Sequence, residues 1–98
     1  MMIETKRTIK RTALFKREYK KAKKQKKDIP LLLKLINKLA NDEPLPENYR
    51  DHALTGDWKG YRECHVNPDW LLVYSKETDS GELLLVLTRL TNHNVLRF

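Results

Sequence analysis

The side chains in this 98-residue sequence able to move protons near neutral pH are three histidines, His52, His65 and His93. An unperturbed imidazole titrates near pH 6.5 (about), so it can take a proton or give one up. Each has polar or acidic neighbours. His52 follows Asp51, His65 is followed by Asn67, Asp69 and Trp70, and His93 sits between Asn92 and Asn94. Such a set suits RNA cleavage by the ribose 2′-hydroxyl. A base removes the hydroxyl proton, an acid protonates the leaving 5′-oxygen, and cations offset the charge on phosphorus. Asp69 can serve as base or orient a histidine. Lys59, Arg62 and Arg89 are candidate phosphate ligands. Two other readings stand beside this one. The three histidines can be unrelated surface or core residues. They can also join Asp69 around zinc, although no close pair has metal-ligand spacing.

The elements that position these residues follow from periodicity. Residues 3–9 alternate weakly, as a first strand. Thr12 is a helix N-cap, and Phe15, Tyr19 and Ala22 recur at helical spacing, predicting a helix from Ala13 to Lys27. Asp28 caps a second helix that tolerates Pro30 in its first turn and buries Leu32, Leu35, Ile36 and Leu39. Asn41 and Pro44 stop it, and 42–50 reads as a loop. The short linker between the helices predicts an antiparallel hairpin. Strands follow at Trp58–Val66, Trp70–Ser75 and Glu82–Leu90, with turns at Asn67–Asp69 and Thr78–Gly81. The middle strand is apolar enough to be buried on both faces. Asn92–Phe98 is a tail with room for one helical turn. If Trp58–Val66 is regular, Lys59, Tyr61, Glu63 and His65 share one face, and Lys59 is a better partner for His65 than Arg62. The order β-α-α-β-β-β implies an α+β fold, a helical hairpin on a small antiparallel sheet, as a single domain over 1–98.

Composition narrows the class. The net charge is +7. Residues 1–30 hold 12 Lys/Arg against 3 Asp/Glu, whereas 31–98 hold 8 against 10. The positive field therefore comes from the first third and favours a polyanionic partner, nucleic acid above all. A solvated helix that only keeps the chain soluble is the plainer reading. The lone Cys64 excludes a disulfide framework and a cysteine-based zinc site, and reads as a small core hydrophobe. Lys and Arg interrupt the N-terminus, so no signal peptide is expected. The longest apolar runs are strand-length, so no membrane span is expected, and a cytoplasmic protein is.

The stretch from Asp51 to Tyr74, DHALTGDWKGYRECHVNPDWLLVY, resembles the core of YafQ-type toxins of the RelE superfamily without a gap. The match fixes many positions, most of them polar, among them Asp51, His52, Gly56, Trp58, Lys59, Arg62, Glu63, His65, Pro68 and Asp69. Pro44-Leu45-Pro46 upstream is also similar. The resemblance implies a RelE-like fold and ribosome-dependent cleavage of mRNA with no cofactor or metal. It also implies neutralisation by a small acidic antitoxin. Its catalytic set falls on His52, His65, Asp69 and His93. His93 would be the general acid, with Asp69 or an upstream histidine as base. Trp70 falls at an aromatic position near the RNA, and Arg89 at a phosphate-binding arginine. The basic segment Lys16–Lys27 would face ribosomal RNA or the antitoxin. The tail departs from the pattern. Arg97 stands where the family has an aromatic four residues after the histidine, and Phe98 comes one later. One residue turns a helix by about 100°, so either the tail bends to bring Phe98 in or Arg97 becomes a phosphate contact. A ParE-like non-enzymatic inhibitor and a plain RNA- or ribosome-binding module share the charge and fold but have no use for matched acid–base groups.

Overall fold

The computed structural model describes residues 5–96, apart from the side chains of His93 and Leu96. Arg97 and Phe98 lie outside the described residues. Strand β1 is Thr8–Arg11, later than the alternation at 3–9 suggests. Its position is set by pairing: Thr8 to Arg11 lie parallel to Leu84 to Leu87. The Thr12 hydroxyl then caps helix α1, Ala13–Lys24, by accepting from the Phe15 N–H. Such a cap contributes about 1 kcal/mol. Helix α1 stops three residues before the expected Lys27. Lys26 takes a left-handed conformation, and Lys27 N–H closes onto Ala22 O while Lys26 N–H closes onto Lys23 O. Those two bonds form a Schellman stop made without glycine.

Helix α2, Ile29–Ala40, starts where Asp28 Oδ1 accepts from Leu31 N–H. It ends on the same kind of stop at Asp42 and Glu43. Phe15 and Ala22 of α1 meet Leu32, Leu35, Ile36 and Leu39 of α2 over one face of the sheet.

The sheet order is β1-β5-β4-β3-β2. Strand β2, His52–Ala53, lies between the loop expected at 42–50 and the strand expected from Trp58. Strand β3 is Arg62–Asn67, β4 is Trp70–Asp79 and β5 is Glu82–Thr91. These four run antiparallel, and β1 makes the sheet mixed. Strand β4 outruns its expected end at Ser75 because the hairpin turn needs only Ser80 and Gly81, both at positive φ. That is the primed turn whose twist suits a two-residue hairpin.

Alternation along β4 explains its burial on both sides. Trp70, Leu72 and Tyr74 enter the core under the helices. Leu71 and Val73 face the other way, where Leu54, Trp58 and Tyr61 cover them. Cys64 is a core side chain, as expected. Burial first, then the nearby Asp51 and Glu63 charges, push its thiol up to about 12. Among the described residues no helix is long and apolar enough to cross a membrane.

Candidate active site

Strands β2 and β3 bring two of the three histidines together. His52 pairs with Glu63 in the β2–β3 register, and His65 lies two residues further along β3 on the face of Glu63. The two imidazole centroids are 6.2 Å apart. Between them sits the Glu63 carboxylate, which the sequence reading had not marked as a site. Its Oε1 is 3.0 Å from His65 Nε2 and 3.9 Å from His52 Nε2. Its side chain is 2% exposed, and among the described residues Oε2 has no hydrogen-bond partner. The two-residue spacing on one strand could have pointed to Glu63.

The geometry assigns ring protons. His52 Nδ1 lies 2.6 Å from Arg50 O, which can only accept, so Nδ1 carries hydrogen. In neutral His52 the lone pair is then on Nε2, on a ring about half exposed. Arg50 is left-handed, which turns its carbonyl back toward this ring. His65 presents Nε2 to a carboxylate, so there Nε2 carries hydrogen.

Of the three cationic candidates, Lys59 departs from the expected strand geometry, while Arg62 and Arg89 are engaged by carboxylates. Residues Gly56–Trp58 form a 3-10 turn, and Gly60 at φ +97 redirects the chain before β3 begins. Lys59 is therefore outside the strand, and the face shared with His65 does not arise. Arg62 opens β3 on the helix side, where its Nε is 3.4 Å from Asp51 Oδ1 and 3.3 Å from Tyr74 Oη. The Tyr74 hydroxyl also donates to Asp51. This trio ties the residue before His52 to the core strand β4. Burial, reinforced by the hydrogen bond to Asp51, raises the Tyr74 phenol pKa. Arg89 is clamped by Glu18 of α1, Nη2 to Oε2 at 3.0 Å and Nε to Oε1 at 3.4 Å.

Asp69 lies in the β3–β4 turn, where its N–H is capped by Asn67 Oδ1 at 3.1 Å. This turn is a ridge between two depressions. On one side is a groove lined by Lys21, Lys27, Asp69, Trp70, Arg89 and Asn92, among others. On the other is a cleft that includes His65, Asn67 and Pro68. Trp70 is 4% exposed and mostly a core residue, reaching only the groove wall. The register aligns His65, Leu71 and Thr91 across β3, β4 and β5. His93 opens helix α3, His93–Leu96, two residues past Thr91, so its backbone lies at the sheet end that holds His65. Its side chain is outside the described set, as are Arg97 and Phe98. On α1 the residues Lys16, Arg17, Lys20, Lys21, Lys23 and Lys24 are exposed, so the cationic face foreseen from charge is present.

A helical hairpin inserted between a first strand and a four-strand meander, with titratable groups at one sheet end, is a RelE-like α+β domain. The comparisons narrow the class. A family model described as "Bacterial toxin of type II toxin-antitoxin system, YafQ" matches residues 7–97, and the chain belongs to that family. It is 43% identical over 91 residues to the mRNA interferase toxin YafQ of Escherichia coli K12, covering 92% of this chain and 95% of that one. The toxin in the E. coli DinJ-YafQ complex is 41% identical, with a TM-score of 0.80 over 94% of this chain and 99% of its own. A metal-bound toxin from Helicobacter pylori is 40% identical, with a TM-score of 0.81 over 91% and 97%.

Proposed function

We propose that this chain is an endoribonuclease toxin that cuts mRNA on the ribosome by acid–base catalysis. The observation that carries this reading is the pair of imidazoles on one buried carboxylate, His52 and His65 on Glu63, at the sheet end where His93 begins. In the proposed reaction His52 Nε2 takes the 2′-hydroxyl proton and the 2′-oxygen attacks phosphorus. The P–O5′ bond then breaks, and His93 protonates the departing oxygen. The products are a 2′,3′-cyclic phosphate and a 5′-hydroxyl end. Glu63 holds the His65 ring through its Nε2–H, and its charge stabilises the imidazolium that forms on His52 when Nε2 takes the proton. His65 and Asp69 flank the scissile group, with Asp69 the alternative base. Lys59, Arg97 and Phe98 are proposed RNA contacts. Trp70 and Arg89 would act from the groove wall, and Arg62 through Asp51 rather than on phosphate.

No step needs a metal, so EDTA should leave cleavage unchanged. Loss of cleavage on chelation would transfer the chemistry to a bound ion. The deciding experiment is primer extension on mRNA after brief expression, wild type beside His93→Ala. New 5′ ends are expected with wild type only, while circular dichroism shows both folded. An absence of new ends with the wild type would overturn the reading. The cationic face of α1 would bind ribosomal RNA or the acidic segment of a cognate antitoxin in the cytoplasm, with affinity falling steeply as salt rises. Copurification of a small acidic protein from the native operon would test the second partner.

A further inference from the structure

The smaller apolar cluster lies on the sheet face that carries the acid–base groups. Leu71 and Val73 of β4 are fully buried there, under Leu54, Trp58 and Tyr61 from the loop between β2 and β3. In the β3–β4 register Val73 stands opposite Glu63, and Leu71 opposite His65. Directly opposed residues share a face, with Cβ atoms about 4.5–5.5 Å apart. Glu63 therefore has an imidazole, His52, across from it on β2 and hydrocarbon across from it on β4. The helical hairpin covers the other face of the sheet, so dryness around this carboxylate has to come from elsewhere.

The covering loop is built to stay closed. Leu54 N–H donates to Tyr61 O at 2.9 Å and shuts the loop at its neck. Within it Trp58 N–H reaches Thr55 O, Lys59 N–H reaches Gly56 O and Tyr61 N–H reaches Trp58 O. Gly56 and Gly60 take positive φ, and a Cβ added to either would meet open space, so glycine is needed there for conformation and not for room. The turns they permit set Trp58 edge-on to Tyr61, with ring centroids 5.4 Å apart. Leu54 and Trp58 have no titratable group, so whatever they contribute to cleavage is made through their neighbours.

Charge interactions strengthen as water is excluded. Glu63 holds His65 through Oε1, and Oε2 has no partner among the described residues, so its grip depends on staying dry. Water admitted beside Val73 would solvate the carboxylate and compete for the His65 Nε2 proton. We propose that Leu54, Trp58 and Tyr61 are positioning residues for cleavage. Seated on Leu71 and Val73, they keep water from the Glu63 carboxylate, and so fix the His65 ring and strengthen the charge that stabilises protonated His52. The inference rests on the nuclease reading above and extends it to a loop outside the acid–base set.

Trp58→Ala opens this plug, and Trp58→Phe refills most of it. Cleavage of ribosome-bound mRNA in a purified translation system gives kcat and KM. In parallel, NMR follows exchange of the His65 Nε2 proton with water in the free toxin. Trp58→Ala should lower kcat on the order of tenfold with KM unchanged, because rates fall steeply when a catalytic group is misplaced. Exchange should quicken by about tenfold as the proton is exposed. Trp58→Phe should restore both. Leu54→Val, a milder change in the same plug, should move both the same way by less, and serves if Trp58→Ala does not fold. Phe15→Leu, a control in the main core, should lower stability and leave exchange and kcat per folded molecule unchanged. A raised KM with kcat kept would make the loop an RNA contact through Lys59 and overturn the proposal. So would exchange that ignores Trp58→Ala, exchange that quickens equally in Phe15→Leu, or faster exchange with kcat unchanged. If the wild type cuts no mRNA the nuclease reading fails, and the exchange rates still decide whether the plug shields Glu63.

Discussion

Glu18 and Glu63 are both carboxylates drawn out of water by the same sheet, and their surroundings are opposite. Glu18 receives two bonds from Arg89 and a third from the Leu90 N–H at 3.0 Å, so both oxygens are satisfied. Glu63 is more deeply buried, faces two imidazoles through Oε1, and leaves Oε2 without a partner among the described residues. A buried acceptor left unsatisfied costs about 1–3 kcal/mol, more when charged. The first carboxylate fastens α1 to β5. The second is held at a stability cost, and such a cost persists where the group has another task. Completeness of hydrogen bonding, more than burial or charge, separates the acid that fastens two elements from the one proposed to serve cleavage.

Exchanging each acid for its amide is the strongest way to break this comparison. Glu63→Gln should lower mRNA cleavage by about 10²-fold or more, since it removes the anion that orders His65 and would stabilise protonated His52. Stability should stay level or rise by about 1 kcal/mol, because an incompletely satisfied buried charge is gone. Glu18→Gln should do the reverse, costing about 2 kcal/mol by leaving Arg89 half-paired while the cleavage rate per folded molecule changes little. Urea melts beside primer extension measure both. A Glu63→Gln protein less stable than Glu18→Gln would erase the distinction.

Tyr74→Phe sharpens the contrast from the second support of the site. The Tyr74 hydroxyl bonds Asp51, the residue before His52, within the main core. Removing it should cost about 1.5 kcal/mol, the scale of a hydrogen bond to a charged group. Cleavage should fall less than for Glu63→Gln, because Arg62 still reaches Asp51. In an alkaline titration of the wild type the Tyr74 phenol should resist ionisation, because burial first, then the hydrogen bond to Asp51 and its charge, raise its pKa. Early ionisation of Tyr74 would mean that the trio does not hold in solution.

Local signals explain what the sequence reading reached. Thr12 and Asp28 cap their helices through hydroxyl and carboxylate oxygens that accept from an N–H three residues on, a rule readable without tertiary context. The apolar run of β4 foretold burial on both faces, and the polar stretch from Asp51 to Tyr74 carried the family. What stayed hidden depends on partners distant in the chain. Register alone puts β2 beside β3 and so His52 beside Glu63. The ties of Arg62 to Asp51 and of Arg89 to Glu18 cross 11 and 71 positions, so no spacing rule shows that these cations are already engaged. Gly60 at positive φ broke the assumed regular strand and displaced Lys59.

The weakest effect belongs to an acid that is satisfied but wet. Asp42 bridges Arg7 at 2.8 Å and Lys76 at 2.7 Å, joining the end of α2 to the start of the chain and to β4, well away from the histidines. Its pKa is lowered, chiefly by the hydrogen bonds from Lys76 and Arg7. A depressed carboxylate adds stability above its unfolded value, near 3.9 (about), and loses it as pH falls through the lower folded value. The side chain is 33% exposed and screened by solvent, so the contribution is about 0.5 kcal/mol. Asp42→Asn should therefore be slightly less stable than wild type above about pH 5, with the gap closing toward pH 3 and shrinking in high salt. Cleavage per folded molecule should be unaffected at any pH, because this network touches neither Glu63 nor the imidazoles. A gap that widened on acidification would reverse the sign argued for Asp42 and make its pairing a feature of the unfolded chain.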